Sequence, residues 1–555
     1  MNEKQLRALA ESECAYLNDD NVIKIRVAAQ EDNAMARTCL TLLADWAKKG
    51  SITKIICTGS FGYYDLEPMV IIEKPGIAPI IYACVTKEVI DQLIRDYLEG
   101  DNPRPDLAYC TLGSEGVQGI SSEAELQLFQ LQKRIVLRHC GMVDPENVSE
   151  YIAGCEGYSG LVKALQMSPA DILEEIGRSN LRERTGLGCP TAAQWTRFLE
   201  EKASEKVVIC NTLDNDLHAR TARLLLAGDP HSVLEGLLIA AYTVGASQCL
   251  VTIPAGFDRI KNLLMTALAQ MKEYGLLGEN IFDTGFSCDI EIKEVPGSML
   301  AGEETALLRY LEGKQAIPFV QTKEYQPELH GKPVLINHAE TLANMGAILQ
   351  KGAAWFTGFG TADSAGTKII TLTGDVVHPY TVEVPMGTPL ETMIHKIGGT
   401  LGSSAIIAVQ FGGPTGTYLD AEEFKLPITY QTLRFIGSVM GFGMLEVVAD
   451  CRCAVEMTAQ LMAFLHSQSC GKCVFCREGT LHIADILKDI TQGEGTAQDL
   501  ELIQELGEKM RTGSICSFGQ SAANPVLSSL KLFGSEFDFH IRQKKCPHRR
   551  NGKEV

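Results

Sequence analysis

Ser469-Cys470-Gly471-Lys472-Cys473-Val474-Phe475-Cys476-Arg477-Glu478-Gly479-Thr480, answered further on by Gly513-Ser514-Ile515-Cys516-Ser517-Phe518-Gly519, is the stretch on which the fold of this chain turns. Three thiols, each separated from the next by two residues, wrap one side of a compact inorganic core, and a distant fourth closes the cage. Four soft thiolates suit a [4Fe–4S] cluster. Zinc also accepts four thiolates, but its structural sites usually divide into two CxxC pairs rather than three plus one. Unligated buried thiols are the plainer alternative, and three of them within seven residues between glycines argue against it. Cys470, Cys473, Cys476 and Cys516 are therefore the expected cluster ligands. Val455, Leu461, Met462 and Leu465 before the run, and Leu481, Ile483, Ile486, Leu487 and Ile490 after it, recur at helical spacing. The thiols should thus stand on a loop between two helices of a bundle. Lys472, Arg477 and the amides near Gly471 and Gly479 would offset the negative core, unless the two cations are simply solvated.

Working outward, 555 residues exceed what one hydrophobic core supports, so three or four domains are expected. With 45% hydrophobic and 21% charged residues the chain reads as an ordinary globular protein. Lys+Arg 50 against Asp+Glu 69 gives a net charge of −19, which disfavours a nucleic-acid surface and binding to anionic lipid. No run of eighteen apolar residues occurs and the start, MNEKQLRALAESE, lacks an apolar targeting segment, so a cytoplasmic protein without membrane insertion is expected. Eighteen cysteines is a high count. Cys39, Cys84, Cys140 and Cys249 lie singly in apolar segments, as buried thiols do in a reducing compartment.

Residues 1–50 read as helices, with Leu6, Leu9 and Ala10, then Ala36, Cys39, Leu40, Leu43 and Trp46, at helical spacing. From Ile52 the period shortens. Ile52–Cys57, Pro68–Glu73 and Pro79–Tyr82 read as strands, and Thr86 caps a helix to Leu98. Asp101-Asn102-Pro103-Arg104-Pro105 is the expected linker. Helices follow over Glu123–His139, Ser159–Gln166 and Ala170–Ile176. Next, strand Lys206–Asn211, helix Leu234–Thr243, strand Gln248–Ile253 and helix Ile260–Tyr274 alternate, which argues for a doubly wound parallel sheet with ligands at the carboxyl ends of its strands. Ile369–Leu372 and Tyr380–Val384 are strands again, and Pro389–Ile397 is a helix stopped by Gly398-Gly399. Phe411-Gly412-Gly413-Pro414-Thr415-Gly416 reads as a tight turn, because no helix with a basic residue follows as a phosphate loop requires.

From about Leu181 to the C-terminus the chain resembles the NADH-binding flavoprotein subunit of respiratory complex I and of NAD-linked electron-bifurcating hydrogenases and formate dehydrogenases. The resemblance rests on Cys210-Asn211, Thr284-Gly285-Phe286, Gly302-Glu303-Glu304-Thr305-Ala306-Leu307, Asn337-His338-Ala339-Glu340-Thr341-Leu342 and the cysteine run. It implies an FMN that takes hydride from NADH near Glu303 and Glu304 and passes single electrons to the cluster. It also implies cofactor contacts from Arg184, Gly186, Gly188, Asn211, Asp214, Gly302, Asn337 and Thr341. Taken alone, Gly302-Glu303-Glu304 reads rather as an exposed helix start, where glutamates complement the helix dipole. The family's flavin phosphate loop reads Arg-Gly-Arg-Gly-Gly-Ala-Gly-Phe-Pro-x-Gly-x-Lys-Trp, its glycines admitting backbone N–H groups to the phosphate. Here the stretch is Arg182-Glu183-Arg184-Thr185-Gly186-Leu187-Gly188-Cys189-Pro190-Thr191-Ala192-Ala193-Gln194-Trp195. Glu183 sets a carboxylate where the phosphate belongs, and two like charges about 4 Å apart repel by roughly 4 kcal/mol at an effective dielectric of 20. Gln194 removes a cation, Thr185 adds a Cβ, Cys189 replaces an aromatic and His338 an asparagine. The family's Asn-Ala-Asp-Glu-x-Glu-Pro-Gly motif has drifted to Asn211-Thr212-Leu213-Asp214-Asn215-Asp216-Leu217-His218.

The front segment resembles the thioredoxin-like ferredoxin domain of the same relatives, whose Gly-Cys-x-Gly-x-Cys turn holds a [2Fe–2S] cluster. Ser60 and Tyr64 stand where its thiolates would be, so the fold is expected without the cluster. Residues after Lys368 look like the family's small β-grasp (SLBB-like) module. In the tail, Cys453, His540, Cys546 and His548 would make a Cys2His2 zinc site like that of bifurcating relatives, with incidental tail histidines as the alternative. The fold expected is thus multidomain α/β. A thioredoxin-like α+β domain (1–110) precedes a doubly wound flavin/NADH-type domain (111–365), a β-grasp module (366–435) and a helical [4Fe–4S] bundle (436–555). Its expected function is that of an electron-transfer subunit, an NADH dehydrogenase (diaphorase)-type oxidoreductase if FMN binds. The alternative is a flavin-free paralogue acting as relay or scaffold beside an active sibling. Expected partners are other iron–sulfur subunits, including a small thioredoxin-like ferredoxin and a larger catalytic subunit.

Overall fold

Ile23-Lys24-Ile25-Arg26-Val27-Ala28 forms the first strand, against the expectation of helices throughout residues 1–50. Its two cations disguise it, because Lys24 and Arg26 are buried yet paired, both with Glu73 at 2.8 and 3.4 Å and Arg26 also with Glu150 at 3.8 Å. The computed structural model describes residues 3–48, 50, 52–214, 219–321, 325–402 and 404–548. Strands β1 (Ile23–Ala28), β2 (Thr53–Thr58), β3 (Met69–Glu73), β4 (Ile80–Tyr82) and β5 (Ala108–Thr111) form a sheet in the order β2-β1-β3-β4-β5. β1 and β2 are parallel and the other pairs antiparallel. Asp101–Pro105, expected as a linker, leads into β5 of the same sheet instead. Helix Ala34–Ala47, capped by Asn33, and helix Lys87–Gln92, capped by Thr86 and continued as a wider turn over Leu93–Leu98, cover one face with Leu43, Trp46, Ile90 and Tyr97. Of the cysteines expected to be buried, Cys39, Cys140 and Cys249 are; Cys84 is exposed, at a turn where its thiol donates to the Asp65 carbonyl at 3.2 Å.

The long helix expected over Glu123–His139 is broken into single turns at Glu123–Glu125 and Gln127–Gln130. Beyond them the chain is held open by one carboxylate. The N–H groups of Ile135, Val136 and Leu137 all donate to Glu383, at 2.8 to 3.0 Å, and the Thr367 hydroxyl donates to it as well. Glu383 is fully buried, and burial pushes its carboxyl up.

The second sheet contains β6 (Val207–Asn211), β7 (Gln248–Pro254), β8 (Asp289–Val295), β9 (Glu328–Leu329) and β10 (Lys332–His338), in the order β8-β7-β6-β10-β9. β8, β7, β6 and β10 are parallel, with β9 antiparallel at the edge. Helix Pro230–Val244 is buried along nearly its whole length, as its unbroken apolar sequence requires. The third sheet contains β11 (Thr367–Gly374), β12 (Thr381–Pro385), β13 (Ile406–Phe411), β14 (Thr417–Leu419) and β15 (Met444–Ala449), in the order β12-β11-β15-β13-β14. Its central strand therefore comes from residues past 435. Gly412 and Gly413, at φ 95 and 80, make the expected turn between β13 and β14. Ala28, Ile71 and Ile81 of the first sheet share a core with Ile370, Val382 and Val447 of the third.

Helices Ala454–Gln468, Val474–Gln492, Ala497–Gly513, Ser517–Ser521 and Asn524–Gln543 form the terminal bundle around Val455, Leu465, Ile483, Leu487, Ile503 and Met510. The described residues thus form a mixed α/β protein with three five-stranded sheets and a helical bundle. Among the described residues no single helix is long and apolar enough to cross a membrane.

Candidate metal centre and ligand crevice

The expected loop between two helices exists. Helix Ala454–Gln468 ends at Ser469, Cys473 immediately precedes helix Val474–Gln492, and Cys516 immediately precedes the short helix Ser517–Ser521. Cys476 and Cys516 are buried, Cys470 and Cys473 half-buried. Burial pushes the Cys476 thiol up to about 11, a hydrogen bond with Ser469 opposes that, and the other three cysteines add to it. The Cys516 thiol is raised by burial first, with Glu303, Cys470 and Cys473 contributing. Cys476 and Cys516 share the bundle core and Cys470 and Cys473 pack against it, so the four thiols gather in one place. Glycines make room for them: a Cβ on Gly519 would meet Ser514 at 2.7 Å and Cys476 at 3.1 Å, and one on Gly479 would meet Met510 at 2.6 Å. Lys472 donates to the Pro318 carbonyl at 3.2 Å, tying the loop to the chain beyond helix Glu304–Leu311, while Arg477 donates to the Gly471 carbonyl at 2.8 Å. Both cations have structural partners. Four converging thiols with glycine clearance fit a [4Fe–4S] core.

A crevice of about 360 Å³ opens at the carboxyl ends of β6 and β7, where a parallel sheet binds ligands. Thr212, Leu213 and Asp214 line it from β6, Pro254 and Ala255 from β7, and Gln468 from the bundle. The Met299 N–H donates to Gln468 Oε1 at 3.3 Å, so a crevice wall lies two residues from Cys470. Of the expected cofactor residues, Asp214 lines this space. The drifted positions 215–218 lie outside the described residues. Sequence reasoning missed Met299 and Gln468; neither carries a motif, and their neighbourhood arises from packing alone.

The other expected cofactor residues fall into two groups. Asn211 donates to the Gly302 carbonyl at 3.1 Å, joining those two motifs. Asn337, Thr341 and the Arg184 backbone meet around Glu183. Its carboxylate accepts from Asn337 Nδ2 at 2.7 Å, the His338 N–H at 3.1 Å and the Thr341 hydroxyl at 2.8 Å. His338 links the groups through Asp214, at 3.1 Å. The Arg184 side chain turns away, buried, donating to the Ala365 carbonyl at 2.8 Å above the Phe356 ring. Gly186 has open space where a Cβ would be, whereas Gly188 lies against the Tyr430 ring, 2.3 Å from such a Cβ. The donor set suits an anion, and the chain's own carboxylate is the anion in it.

Glu303 and Glu304 have separate roles. Glu303 caps helix Glu304–Leu311, accepting from the Ala306 N–H at 3.0 Å and the Thr305 hydroxyl at 2.6 Å. Glu304 is the unusual carboxyl: burial, then repulsion from Glu303, lifts it to about 7. In the tail, Cys453, His540 and Cys546 bring three ligand atoms within 4.8 Å of one another, the one such group among the described residues. Cys453 Sγ and His540 Nε2 are 3.2 Å apart. His548 lies beside Glu536 instead, 3.4 Å from its carboxylate, which also accepts from the Ala454 N–H.

A parallel sheet whose ligand crevice is walled on one side by a four-cysteine bundle defines an iron–sulfur electron-transfer protein of the flavoprotein type. The chain is 41% identical over 420 residues to the NADP-reducing hydrogenase subunit HndC of Solidesulfovibrio fructosivorans, spanning 75% of this chain and 85% of the relative. It is 34% identical to the NADH-quinone oxidoreductase F-subunit 2 of Rhizobium meliloti (strain 1021), over 74% of this chain and 99% of that one. It belongs to the family of these NADH-quinone oxidoreductase F-subunits, the electron-transfer flavoproteins that join an FMN-binding domain to a 4Fe-4S region. The family description "Nuo51 FMN-binding domain" matches residues 176–347, and "NADH-ubiquinone oxidoreductase-F iron-sulfur binding region" matches residues 456–540. Among solved structures, a chain of an NAD+-reducing [NiFe]-hydrogenase in the H2-reduced state is similar at 25% identity with a TM-score of 0.66, covering 95% of this chain and 84% of that one.

Proposed function

We propose that Cys470, Cys473, Cys476 and Cys516 hold the cluster and that the crevice above β6 and β7 admits NADH beside the flavin site, so that this chain passes electrons from a nicotinamide toward partner subunits. The observation that carries this reading is the shared wall: Gln468 lines the crevice, holds Met299, and stands two residues from Cys470. When bound, FMN converts a two-electron donor into single electrons. The chain's residues do the rest. Asn211 and Gly302 hold the ends of β6 and the glutamate turn together, Glu303 fixes the helix start beside the thiols, and Glu304 holds a proton near neutral pH. Asn337, Thr341 and the His338 N–H form the anion seat for a phosphate, from which Glu183 must be displaced. Cys453, His540 and Cys546 support a structural zinc site, with His548 or Glu536 as the fourth ligand.

The first sheet is read as the thioredoxin-like unit without its [2Fe–2S] thiols. The third is read as the β-grasp module, extended to Ala449. The relatives are subunits of multi-subunit complexes, which supports iron–sulfur partner subunits, and a cytoplasmic location is part of the same proposal. Glu183 also favours a second reading, a cluster relay that works without flavin. Acid extraction of flavin with an iron count on anaerobically purified protein tests both. Four irons with one FMN support the first, four irons without flavin the second, and iron-free material refutes both.

A further inference from the structure

A second cavity, of about 380 Å³, lies between the first sheet and the helices of the second, and shares Gln30, Arg220 and Arg223 with the crevice. It opens at the carboxyl ends of the parallel pair β1 and β2, through Val27, Cys57 and Thr58, and at the N-terminus of helix Ala34–Ala47, capped by Asn33. Strand carboxyl ends and the start of a helix both favour an anionic ligand. Four arginines are among the residues that line the space: Arg37, Arg220, Arg223 and Arg259. Glu31, within the lining, pairs with Arg223 at 3.4 Å, and Glu146, outside it, pairs with Arg259 at 2.7 Å. Arg220 donates to Gln30 at 3.1 Å over the Tyr64 ring, and Arg37 to the Asp32 carbonyl at 3.4 Å. A guanidinium has five N–H donors, so these contacts leave each arginine able to meet a phosphate.

Glu31 and Glu146 pair with Arg223 and Arg259, and Glu67 lies behind Ser60 and Gln30, so Arg37 and Arg220 are the cations the cavity offers beyond those pairs, in a chain of net charge −19. Its base is apolar, formed by Val27, Leu40, Leu224 and Leu263. The volume lies in the range that encloses a small organic ligand. We propose that this cavity is a binding site for a phosphate monoester carrying an apolar or heteroaromatic body, of mononucleotide size. The apolar base takes the ring, and the arginine rim with the helix start takes the phosphate.

Isothermal titration of the intact protein with AMP tests this, with adenosine and orthophosphate as separate arms. AMP is expected to bind saturably, more weakly as salt rises, and adenosine at least about tenfold more weakly, since it lacks the group the arginines recognise. Orthophosphate is expected to compete with AMP. The Arg37→Gln/Arg259→Gln variant, at two exposed arginines that line this cavity and not the crevice, should lose at least about tenfold in AMP affinity. AMP without saturable binding up to millimolar concentration, adenosine binding as well as AMP, or AMP affinity untouched in the arginine variant would each overturn the proposal. The site is independent of the flavin seat: Glu183→Gly should alter FMN binding and leave AMP binding unchanged.

Discussion

Glu183 shows how one side chain changes what a site receives. Its carboxylate draws in Asn337, His338 and Thr341, each within hydrogen-bond distance. Replacing it with glycine frees those donors and removes a like charge, so Glu183→Gly should tighten FMN binding by at least about tenfold, read as quenching of flavin fluorescence. Unchanged affinity would mean that the phosphate sits elsewhere. Glu304 offers a pH test. Its folded-state pKa, about 7, exceeds the ordinary 4.5 because burial disfavours the charge. The folded protein therefore holds this proton more tightly than the unfolded chain, and stability present below pH 4.5 is lost as pH rises through 7. Glu304→Gln should raise stability by about 1–2 kcal/mol at pH 8 and by nearly nothing at pH 4.5, measured by urea unfolding at both. At this scale the substitutions were legible in the sequence, but their consequences were not. The sequence placed Glu183 in a phosphate loop, and the fold shows which donors it holds. Glu303 and Glu304 looked alike until one proved to be a helix cap.

Elements succeed or fail as readings according to whether their pattern is self-contained. Helices Ala454–Gln468 and Val474–Gln492 bury one apolar stripe each and were visible from periodicity alone. β1 was hidden because two of its residues are cations, paired with Glu73 and Glu150 far along the chain. The Glu123–His139 segment failed for the complementary reason: its N–H groups found a better acceptor in Glu383 than in their own helix. Removing that acceptor leaves three buried donors unsatisfied, so Glu383→Ala should destabilise the protein by about 3 kcal/mol or more and speed amide exchange at 135–137 before other segments. Gly519 belongs to this scale too. A methyl there meets Ser514 and Cys476, so Gly519→Ala should lower iron content while leaving the helical circular dichroism unchanged.

Across the whole molecule, the two sulfur-bearing sites should separate by metal. Cys516→Ser is expected to cost iron and leave zinc, and Cys546→Ser to cost zinc and leave iron, by elemental analysis of the purified protein. Loss of both metals from either variant would mean that the bundle folds only around its full set of ligands. The first and third sheets share one core, and the third sheet takes its central strand from just before the bundle. The bundle is thereby joined to the third sheet by the chain that forms its central strand.

What the sequence determined by itself is the chemistry that local spacing encodes: the four cysteines, the helices on either side, and the strand–helix alternation of the parallel sheet. Those signals survive in one dimension because each depends on neighbours within a turn or a strand. Tertiary structure decided what depends on distant groups meeting in space. Glu383 gathering a loop, Glu183 taking the anion seat, Gln468 joining crevice to bundle, and arginines from three helices converging on one cavity each require residues tens to hundreds of positions apart, and no local pattern records such a meeting.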